Sequence, residues 1–574
     1  MDGIRRVLDQ PRVNAMNGAE AMVRMLEAHG VRYIFGLCGD TTLPFYDALY
    51  RLDHKMQHIL TRDERSAAYM ADGYARVTSK VGVCEGPSGG GATYILPGLV
   101  EANESSVSVL AITSDVSVKA RGHYPLTELD QEGLMRPLTK WNTVINRSDM
   151  LPDLVRTAFR KMTTGRPGSA HLGLPIDVQR DEVDPNAVWA DPNHGFFPAY
   201  PVGPDMMEIE KALEAIQSAS FPAVIVGGGI LLAGGEAEFQ TFVESLDIAV
   251  ATTISGQGTI SEAHPNCVGV VGSNGGVPAT RDLVKKADLI VFIGCRAGSV
   301  TTELWRYPAK TTRIVHIDSD PEVISASYDT EVAVVSDARL ALSAMNKLLA
   351  DNPPAGAGFG GAEVVAAQKK IKWDAFNALA ASDDSPIKPE RTVATLRKIL
   401  DDEAIIVADP GTPCPYVSAY YEVRTTGRTL FSNRAHGALG YSLSAAMGAH
   451  IGRPDKKIVA MMGDGSFGFT CGELETVVRK NMPITFIVFS NSVYGWIKAG
   501  QKTGFDERYF SVDFNRTDHA AVANAFGVKS YSVEDPAQLE SVLSEAVNYD
   551  GPTLVDIISQ PLQEAAAPVS EWIA

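Results

Sequence analysis

The chain has 574 residues, 45% of them hydrophobic, which is enough for about three or four domains of ~150 residues each. Its 69 acidic and 51 basic residues give a net charge of −18, which argues against nucleic acid or an anionic membrane as a partner. No run reaches the ~20 apolar residues of a membrane span, and the first twelve residues lack the apolar core of a signal peptide.

Helical patterns alternate with short β-branched runs along the chain, which predicts an α/β fold with parallel sheets. The first block contains strand-like runs at 33–38, 81–84, 107–113 and 170–175. Between the first two of these runs, Glu64 precedes an alanine-rich helical segment, and a glutamate at a helix start is usually a surface residue favoured by the helix dipole. A connector rich in Pro and Asn follows at 184–204, so we place the first domain at 14–186.

The middle block contains strand-like runs at 223–226, 287–294 and 313–318. It ends in a segment rich in Gly, Ala and Pro at 351–362, which is typical of a linker, and we place the second domain at 204–350. Two glycine-rich runs, at 86–93 and 227–234, do not match the spacing of a P-loop or of a dinucleotide fingerprint.

The last block is placed at 363–574. In it, two predicted strands are each followed by a residue with an oxygen-bearing side chain. The run 457–462 leads to Gly463-Asp464-Gly465. A helix-patterned segment follows at 471–480, and after it the run 484–489 leads to Asn491. Because neighbouring parallel strands lie only about 5 Å apart, Asp464 and Asn491 can share one hard cation such as Mg²⁺ or Ca²⁺. A helix start after Ser466 would offer backbone N–H groups to an anion. The pattern therefore predicts a site for a metal-bound diphosphate.

This motif resembles the signature of thiamine diphosphate (ThDP) enzymes, which begins with Gly-Asp-Gly and ends in two asparagines. Ser490 replaces the first asparagine here, and Asn491 keeps the second. The order of the three blocks is similar to the pyrimidine-binding, central and diphosphate-binding domains of acetolactate synthase-like members, over nearly the whole chain. The resemblance implies three doubly wound parallel-sheet domains, ThDP and Mg²⁺ as cofactors, and small-molecule substrates.

The resemblance also assigns residues to the cofactor. Asp464, Asn491 and the backbone oxygen of Val493 would bind the metal, and Glu64 would face the pyrimidine N1′ and relay its proton. Leu439 would wedge the cofactor into its bent form, and the Gly437 carbonyl would accept a hydrogen bond from its amino group. The other expected cofactor-binding residues are Gly411, Thr412, Gly465, Ser466, Tyr494 and Gly495.

On the substrate side, the resemblance points to the loop before residue 142 and to the segment after Tyr494. Gln131 would point into the site, His123 is a candidate proton donor, and Lys498 is a candidate acid or carboxylate partner. A solvated helix lysine is an equally good interpretation of Lys498. Trp496 and Ile497 would cap the substrate pocket.

The implied reaction is cleavage or formation of a C–C bond on a 2-oxo acid or 2-hydroxy-carbonyl substrate. Similarity to acetohydroxyacid synthases is strongest at 126–142. The biosynthetic synthases carry an arginine where Val300 stands and a tryptophan where Gly500 aligns, so we expect an enzyme other than a standard biosynthetic acetohydroxyacid synthase.

Two other functions stay open. A 2-hydroxyacyl-CoA lyase would produce formyl-CoA and a carbonyl compound, with the segment 561–574 over the entrance. The basic residues available for CoA phosphates would be Arg121, Lys502 and Arg508. A catalytically silent ThDP-fold subunit is the alternative from another class, and the presence of Glu64, Asp464 and Asn491 argues against it.

The resemblance further implies a homodimer or homotetramer in which Glu64 and Asp464 of one active site come from different subunits. FAD, ADP or no ligand would occupy the central domain, near Arg296 and the run 316–318. The six cysteines form no Cys-x-x-Cys pair and are typical of reduced thiols, so we expect a cytoplasmic protein.

Overall fold

The computed structural model describes residues 16–353 and 358–572. The chain forms two compact units, one ending at Tyr200 and one beginning at Pro201. The first contains one six-stranded sheet and the second contains two, and neighbouring strands within all three sheets run parallel. The predicted α/β fold with three parallel sheets is confirmed. The outer limits of the predicted domains at residues 14 and 574, and residues 354–357 of the predicted linker, lie outside the described residues.

The strands of the first unit are β1 (Met16–Asn17), β2 (Tyr33–Gly36), β3 (Gln57–Leu60), β4 (Gly82–Gly86), β5 (Val109–Asp115), β6 (Trp141–Val144), β7 (Ala170–Pro175) and β8 (Glu182–Val183). Its helices are Gly18–Ala28, Leu43–Arg51, Glu64–Thr78, Gly90–Tyr94, Leu96–Glu104, Gln131–Met135, Leu151–Thr163 and Ile176–Arg180. The sheet order is β3-β2-β4-β5-β7-β6, and β1 pairs with β8 in antiparallel register.

The second unit begins with the strands β9 (Pro222–Val226), β10 (Ala249–Thr252), β11 (Cys267–Val270), β12 (Leu289–Ile293), β13 (Arg313–Asp318) and β14 (Val332–Val335). They form a sheet of order β11-β10-β9-β12-β13-β14. The helices in this stretch are Met206–Gln217, Gly229–Ala233, Glu236–Leu246, Pro278–Lys286, Ala338–Asp351 and Gly361–Ala380.

The last sheet contains β15 (Ile405–Ala408), β16 (Leu430–Ser432), β17 (Ile458–Gly463), β18 (Ile484–Ser490), β19 (Lys529–Val533) and β20 (Thr553–Ile558), in the order β16-β15-β17-β18-β20-β19. The helices around it are Pro389–Ile399, Pro413–Tyr420, Tyr441–Gly452, Asp464–Thr470, Leu474–Arg479, Gly495–Gly504, His519–Phe526 and Leu539–Asn548. The neighbouring positions of β17 and β18 place the two predicted ligand-bearing strand ends side by side.

The central strands are nearly continuous apolar runs because helices cover both faces of a parallel sheet. β12 and β18 are buried along their whole length. The strand-like runs named from the sequence agree with the observed strands to within two residues at either end. Among the described helices, none combines the length and the apolarity needed to cross a bilayer.

The helix after β17 begins earlier than predicted. It starts at Asp464, with Gly463 in extended conformation as its N-cap, rather than after Ser466. An acidic residue in the first turn is favoured by the helix dipole. The segment predicted as one helix at 471–480 is a 3₁₀ turn, Cys471–Glu473, followed by the helix Leu474–Arg479.

A buried charge network braces the helix Glu64–Thr78. Arg76 Nε donates to Asp72 at 2.7 Å and Nη2 donates to Glu101 at 3.1 Å, and all three side chains are at most 4% exposed. Arg76→Met would leave two buried carboxylates without this cation, so we expect a loss of about 3–5 kcal/mol in the free energy of unfolding. Urea unfolding of the full-length protein and of the variant measures this loss.

Arg51→Met is the matched control for this prediction. Arg51 also contacts two carboxylates, those of Glu20 and Asp47, but on the surface. Its replacement should cost no more than about 1 kcal/mol, because solvent screens exposed ion pairs. Equal losses in the two variants would contradict the stabilising role assigned to the buried network.

Candidate active site

Asp464 and Asn491 meet at the carboxyl ends of β17 and β18, where Gly463 pairs with Phe489. Asp464 Oδ2 accepts hydrogen bonds from the backbone N–H groups of Asn491 at 2.7 Å and Ser492 at 2.6 Å, and Oδ1 accepts from Gly465 N–H at 2.8 Å. Burial raises the pKa of Asp464, and these three N–H groups oppose the shift. The carboxylate is therefore held in one orientation by the backbone.

These strand ends open into a cavity of about 390 Å³ within the second unit. The predicted residues that line it are Gly411, Thr412, Gly437, Leu439, Asp464, Gly465, Ser466, Val493, Tyr494, Gly495, Trp496 and Ile497. Asn491 is not part of this lining but contacts it, with its Nδ2 at 3.5 Å from Thr412 Oγ1. The predicted diphosphate, metal and substrate-cap residues of the last block are thus brought together.

The residues at this cavity fit a magnesium diphosphate. A Cβ added at Gly411, Gly437 or Gly463 would meet no atom within 4 Å, so each glycine leaves open space for a ligand. The potential donors are a carboxylate, an amide and a backbone carbonyl, and the described residues hold no group of three or more His, Cys, Asp or Glu side chains that could bind a metal. Mixed oxygen donors suit Mg²⁺, which is usually completed by water and phosphate oxygens.

Tyr494 explains why glycine follows Asp464. A Cβ at Gly465 would stand 2.7 Å from the Tyr494 ring, closer than real Cβ contacts allow. The ring also packs edge-on against Phe514, with centroids 5.2 Å apart. The spacing of Gly465 and Tyr494 thus reflects packing between the two strand-end loops.

Asp409, the residue after β15, connects the first turns of two helices, Tyr441–Gly452 and Asp464–Thr470. Its Oδ1 accepts from the N–H groups of Tyr441 and Ser442 at 2.9 and 2.8 Å, and its Oδ2 accepts from the Ser466 hydroxyl. Burial raises the pKa of Asp409 to about 6. A folded-state pKa above the unfolded value means that the folded protein holds this proton to higher pH.

Asp409 should therefore lower the free energy of unfolding as pH rises from about 4 to about 6, by roughly 3 kcal/mol. Asp409→Asn removes the titrating group, so its unfolding free energy should fall less over this window than that of the wild type. Urea unfolding at several pH values measures the difference. The exposed Asp401→Asn should follow the wild-type curve; a curve for Asp409→Asn parallel to wild type would contradict the prediction.

Glu64 lies in the first unit, at the start of the helix Glu64–Thr78, whose N-cap is Asp63. It is only 5% exposed, and burial raises its pKa, with the charges of Asp63 and Glu85 acting in the same direction. A Cβ at Gly91 would lie 3.1 Å from Glu64 Oε1, so the glycine-rich loop packs directly on this carboxyl group. The surface interpretation of Glu64 is wrong because the side chain is buried.

Like Glu64, the three other predicted catalytic residues are not part of the cavity lining. Gln131 is buried in the first unit, donating to the Ser114 carbonyl at 2.8 Å and accepting from Thr113 Oγ1 at 2.5 Å. His123 is exposed on a loop of the same unit. Lys498 forms an ion pair with Asp513 at 2.7 Å.

Sequence reasoning missed part of the cavity wall. The additional lining residues are Ser273, Asn274, Ser299, Leu304, Arg434, Glu571 and Trp572. The chain end is anchored by Gly275 N–H to the Pro568 carbonyl at 2.8 Å and by Ser570 N–H to the Ser273 carbonyl at 3.0 Å. No local sequence motif predicts these residues, because they come from segments far apart in the sequence.

Family models match all three parts of the chain. They are the thiamine pyrophosphate enzyme N-terminal TPP binding domain at residues 16–134, the central domain at 209–345 and the C-terminal TPP binding domain at 409–557.

Similar proteins include a probable acetolactate synthase large subunit of Methanococcus aeolicus, 36% identical over 95% of this chain and 92% of the relative. A probable acetolactate synthase large subunit of Methanocaldococcus jannaschii is 33% identical over 96% of this chain and 93% of its own. The acetolactate synthase large subunit of Corynebacterium glutamicum is 32% identical over 95% and 87%. The chain therefore belongs to the thiamine diphosphate enzyme family and is an acetolactate synthase-like enzyme of the carboligase type.

Proposed function

We propose that the protein is a ThDP- and Mg²⁺-dependent enzyme that takes an acyl unit from a 2-oxo acid and joins it to a second carbonyl compound. The observation that carries the proposal is a single cavity lined by Asp464, Val493, Trp496 and Ile497, with the Asn491 N–H donating to the Asp464 carboxylate. Its oxygen-bearing residues suit a metal diphosphate, and its apolar side chains suit a small organic substrate.

Within this proposal, Asp464, the Asn491 amide and the Val493 carbonyl would hold Mg²⁺. The Gly437 carbonyl would accept a hydrogen bond from the aminopyrimidine, and Leu439 would pack against the cofactor. The residues that would surround the diphosphate are Gly411, Thr412, Gly465, Ser466, Tyr494 and Gly495. ThDP, when bound, supplies the electron sink for breaking and forming C–C bonds.

Glu64 is proposed to hold and return the proton at the pyrimidine N1′. Its burial and raised pKa support this role, because a proton-transfer group works best when its pKa lies near the working pH. We still predict that Gln131 and His123 face the substrate. The Asp513 partner of Lys498 favours the view that this lysine holds the loop rather than the substrate.

The proposal also concerns the identity of the two substrates, the 2-oxo acid donor and the carbonyl acceptor. The relatives named above are acetolactate synthases, so we propose pyruvate as the first donor to test. The expectation that this enzyme departs from the standard biosynthetic acetohydroxyacid synthases depends only on Val300 and Gly500. Val300 lines the cavity, whereas Gly500 is buried in the helix Gly495–Gly504 outside the lining.

The three basic residues expected to bind CoA phosphates in the 2-hydroxyacyl-CoA lyase alternative have protein partners among the described residues. Arg121 donates to Asp115 and Asn146, Arg508 pairs with Asp506, and Lys502 donates to the Gln563 carbonyl.

We further propose a homodimer or homotetramer with active sites between subunits, so that Glu64 and Asp464 of one site belong to different chains. Mixing inactive Glu64→Gln and Asp464→Ala proteins after subunit exchange should restore about a quarter of wild-type activity, because one site of each mixed dimer is intact. No restoration would contradict shared sites.

The proposal also includes three domains, with limits at 14–186, 204–350 and 363–574. It includes a cytoplasmic location, and the six free thiols are typical of that location. FAD or ADP in the central domain stays an expectation of the resemblance. His316 there has its Nε2 at 2.9 Å from the Cys295 carbonyl oxygen. An absorbance spectrum of the purified protein tests for FAD.

Calorimetric titration of the apoprotein with ThDP and Mg²⁺, followed by circular dichroism on adding pyruvate and then a 2-hydroxyacyl-CoA, tests the function. We expect saturable, metal-dependent binding and a spectral change with pyruvate. A change with the thioester alone would favour the lyase, and no cofactor binding would overturn the proposal.

A further inference from the structure

Arg434 is a cation in the lining of the cavity that pairs with no carboxylate among the described residues. It lies two residues beyond β16, on a loop closed by the bond from Asn433 Nδ2 to the Ala438 carbonyl at 2.6 Å. With the Asn274 amide oxygen turned towards it, Nη2 and Nη1 lie 2.6 and 3.1 Å from that oxygen. Its Cζ lies 5.8 Å from the centre of the Trp496 ring. The guanidinium is therefore held in place by two neutral groups.

The two carboxylates of the lining are engaged elsewhere. Glu571 forms an ion pair with Arg306, and the Asp464 carboxylate accepts from three backbone N–H groups at the proposed metal site. The charge of Arg434 is thus left uncompensated in a cavity with extensive apolar walls.

The geometry of a guanidinium suits one class of ligand. Asn274 engages two of its nitrogens through one oxygen, and the planar fork has further N–H donors for a carboxylate. Val300, Leu304 and Trp572 surround the same cavity and would contact an apolar remainder. The combination fits a small organic acid with a short aliphatic chain.

We propose that Arg434 binds the carboxylate of a small 2-oxo acid in this cavity and so selects acids over their neutral analogues. The inference rests on the proposed function and deepens it by naming the residue that recognises the substrate. The positive charge that recognises the substrate carboxylate then comes from Arg434, on the loop after β16. Val300, which stands where the biosynthetic synthases carry an arginine, is uncharged.

The first test needs no turnover. Trp496 lies beside Arg434, and its ring centroid is 5.1 Å from that of Trp572, so ligand binding should alter the tryptophan fluorescence. The protein incubated with ThDP and Mg²⁺ is titrated with isobutyrate and with isobutyramide, which have the same shape but differ in charge. Wild type should bind the acid at least about 10-fold more tightly, since hydrogen bonds to charged groups are the stronger ones.

Two variants remove this preference by different routes. Arg434→Gln deletes the charge, and Asn274→Asp neutralises it in place with a carboxylate at the same distance while keeping the arginine. Both should bind the acid and the amide alike, whereas Arg434→Lys should keep part of the preference. Arg424→Gln, which removes an arginine paired with Glu422 outside the lining, should behave as wild type. Retention of the wild-type preference by both Arg434→Gln and Asn274→Asp, or its absence in wild type, would overturn the proposal.

Kinetics separate this inference from the proposed function. With pyruvate, Arg434→Gln should raise KM about 10-fold or more with a smaller change in kcat, while ThDP affinity stays at the wild-type value. If wild type neither binds ThDP nor turns over pyruvate, the proposed function fails, and the fluorescence titration still decides whether Arg434 binds carboxylates.

Discussion

Replacing Glu64 by Gln is expected to leave ThDP binding within a few-fold of wild type while turnover falls by about 10²–10⁴-fold, the usual contribution of a positioned acid–base group. Glutamine keeps the shape of the buried side chain beside Gly91 but cannot hold a titrating proton. Calorimetric ThDP titration and deuterium exchange at the cofactor C2 measure binding and proton relay separately.

Glu182→Gln is the matched control for Glu64→Gln, because it makes the same chemical change at an exposed position of the first unit, in β8. Its exchange rate and turnover should stay close to wild type. Turnover by Glu64→Gln comparable with wild type would remove Glu64 from the proton relay.

Replacing Asp464 by Ala is expected to lower the Mg²⁺-dependent affinity for ThDP by more than about 100-fold, because even groups that only orient a metal ligand account for 10–100-fold. The substitution also removes the acceptor of the N–H groups of Asn491 and Ser492, so the strand-end loop loses its anchor. ThDP titrations at several Mg²⁺ concentrations measure the change.

Asp506→Ala controls for the loss of a negative charge in the same unit, since Asp506 is exposed and pairs only with the neighbouring Arg508 among the described contacts. Its ThDP affinity should match wild type. An Asp464→Ala protein that binds ThDP normally at every Mg²⁺ concentration would contradict the metal site proposed at Asp464, Asn491 and Val493.

The sequence predicted the fold because parallel strands buried on both faces must be continuous apolar runs. The strand β13 was predicted with the same limits that the structure has, at 313–318. The run after Lys457 likewise led to Asp464 at a strand end. Helix starts were harder to predict. The helix at Asp464 begins earlier than expected because Gly463 is extended and serves as the N-cap.

The metal and diphosphate residues stay predictions, and the structure places those proposed from these segments a few residues after β15, β17 and β18. Lys498 illustrates the limit of this approach. Its position beside Trp496 indicated a substrate-side group, but the structure pairs it with Asp513, fifteen residues further along. A single sequence does not reveal which distant acid a lysine will meet.

The amino-acid sequence indicated the three parallel sheets and the oxygen-bearing strand ends through local periodicity and spacing, and it indicated the family through the resemblance of its motifs. The folded chain was needed to reveal that Glu64 is buried, that Asp409 accepts hydrogen bonds from both Ser466 and the start of the helix at Tyr441, and that Arg434 lines the cavity. Burial, raised pKa values and the pairing of charges depend on which distant segments pack together, and those contacts leave no periodic pattern in the chain.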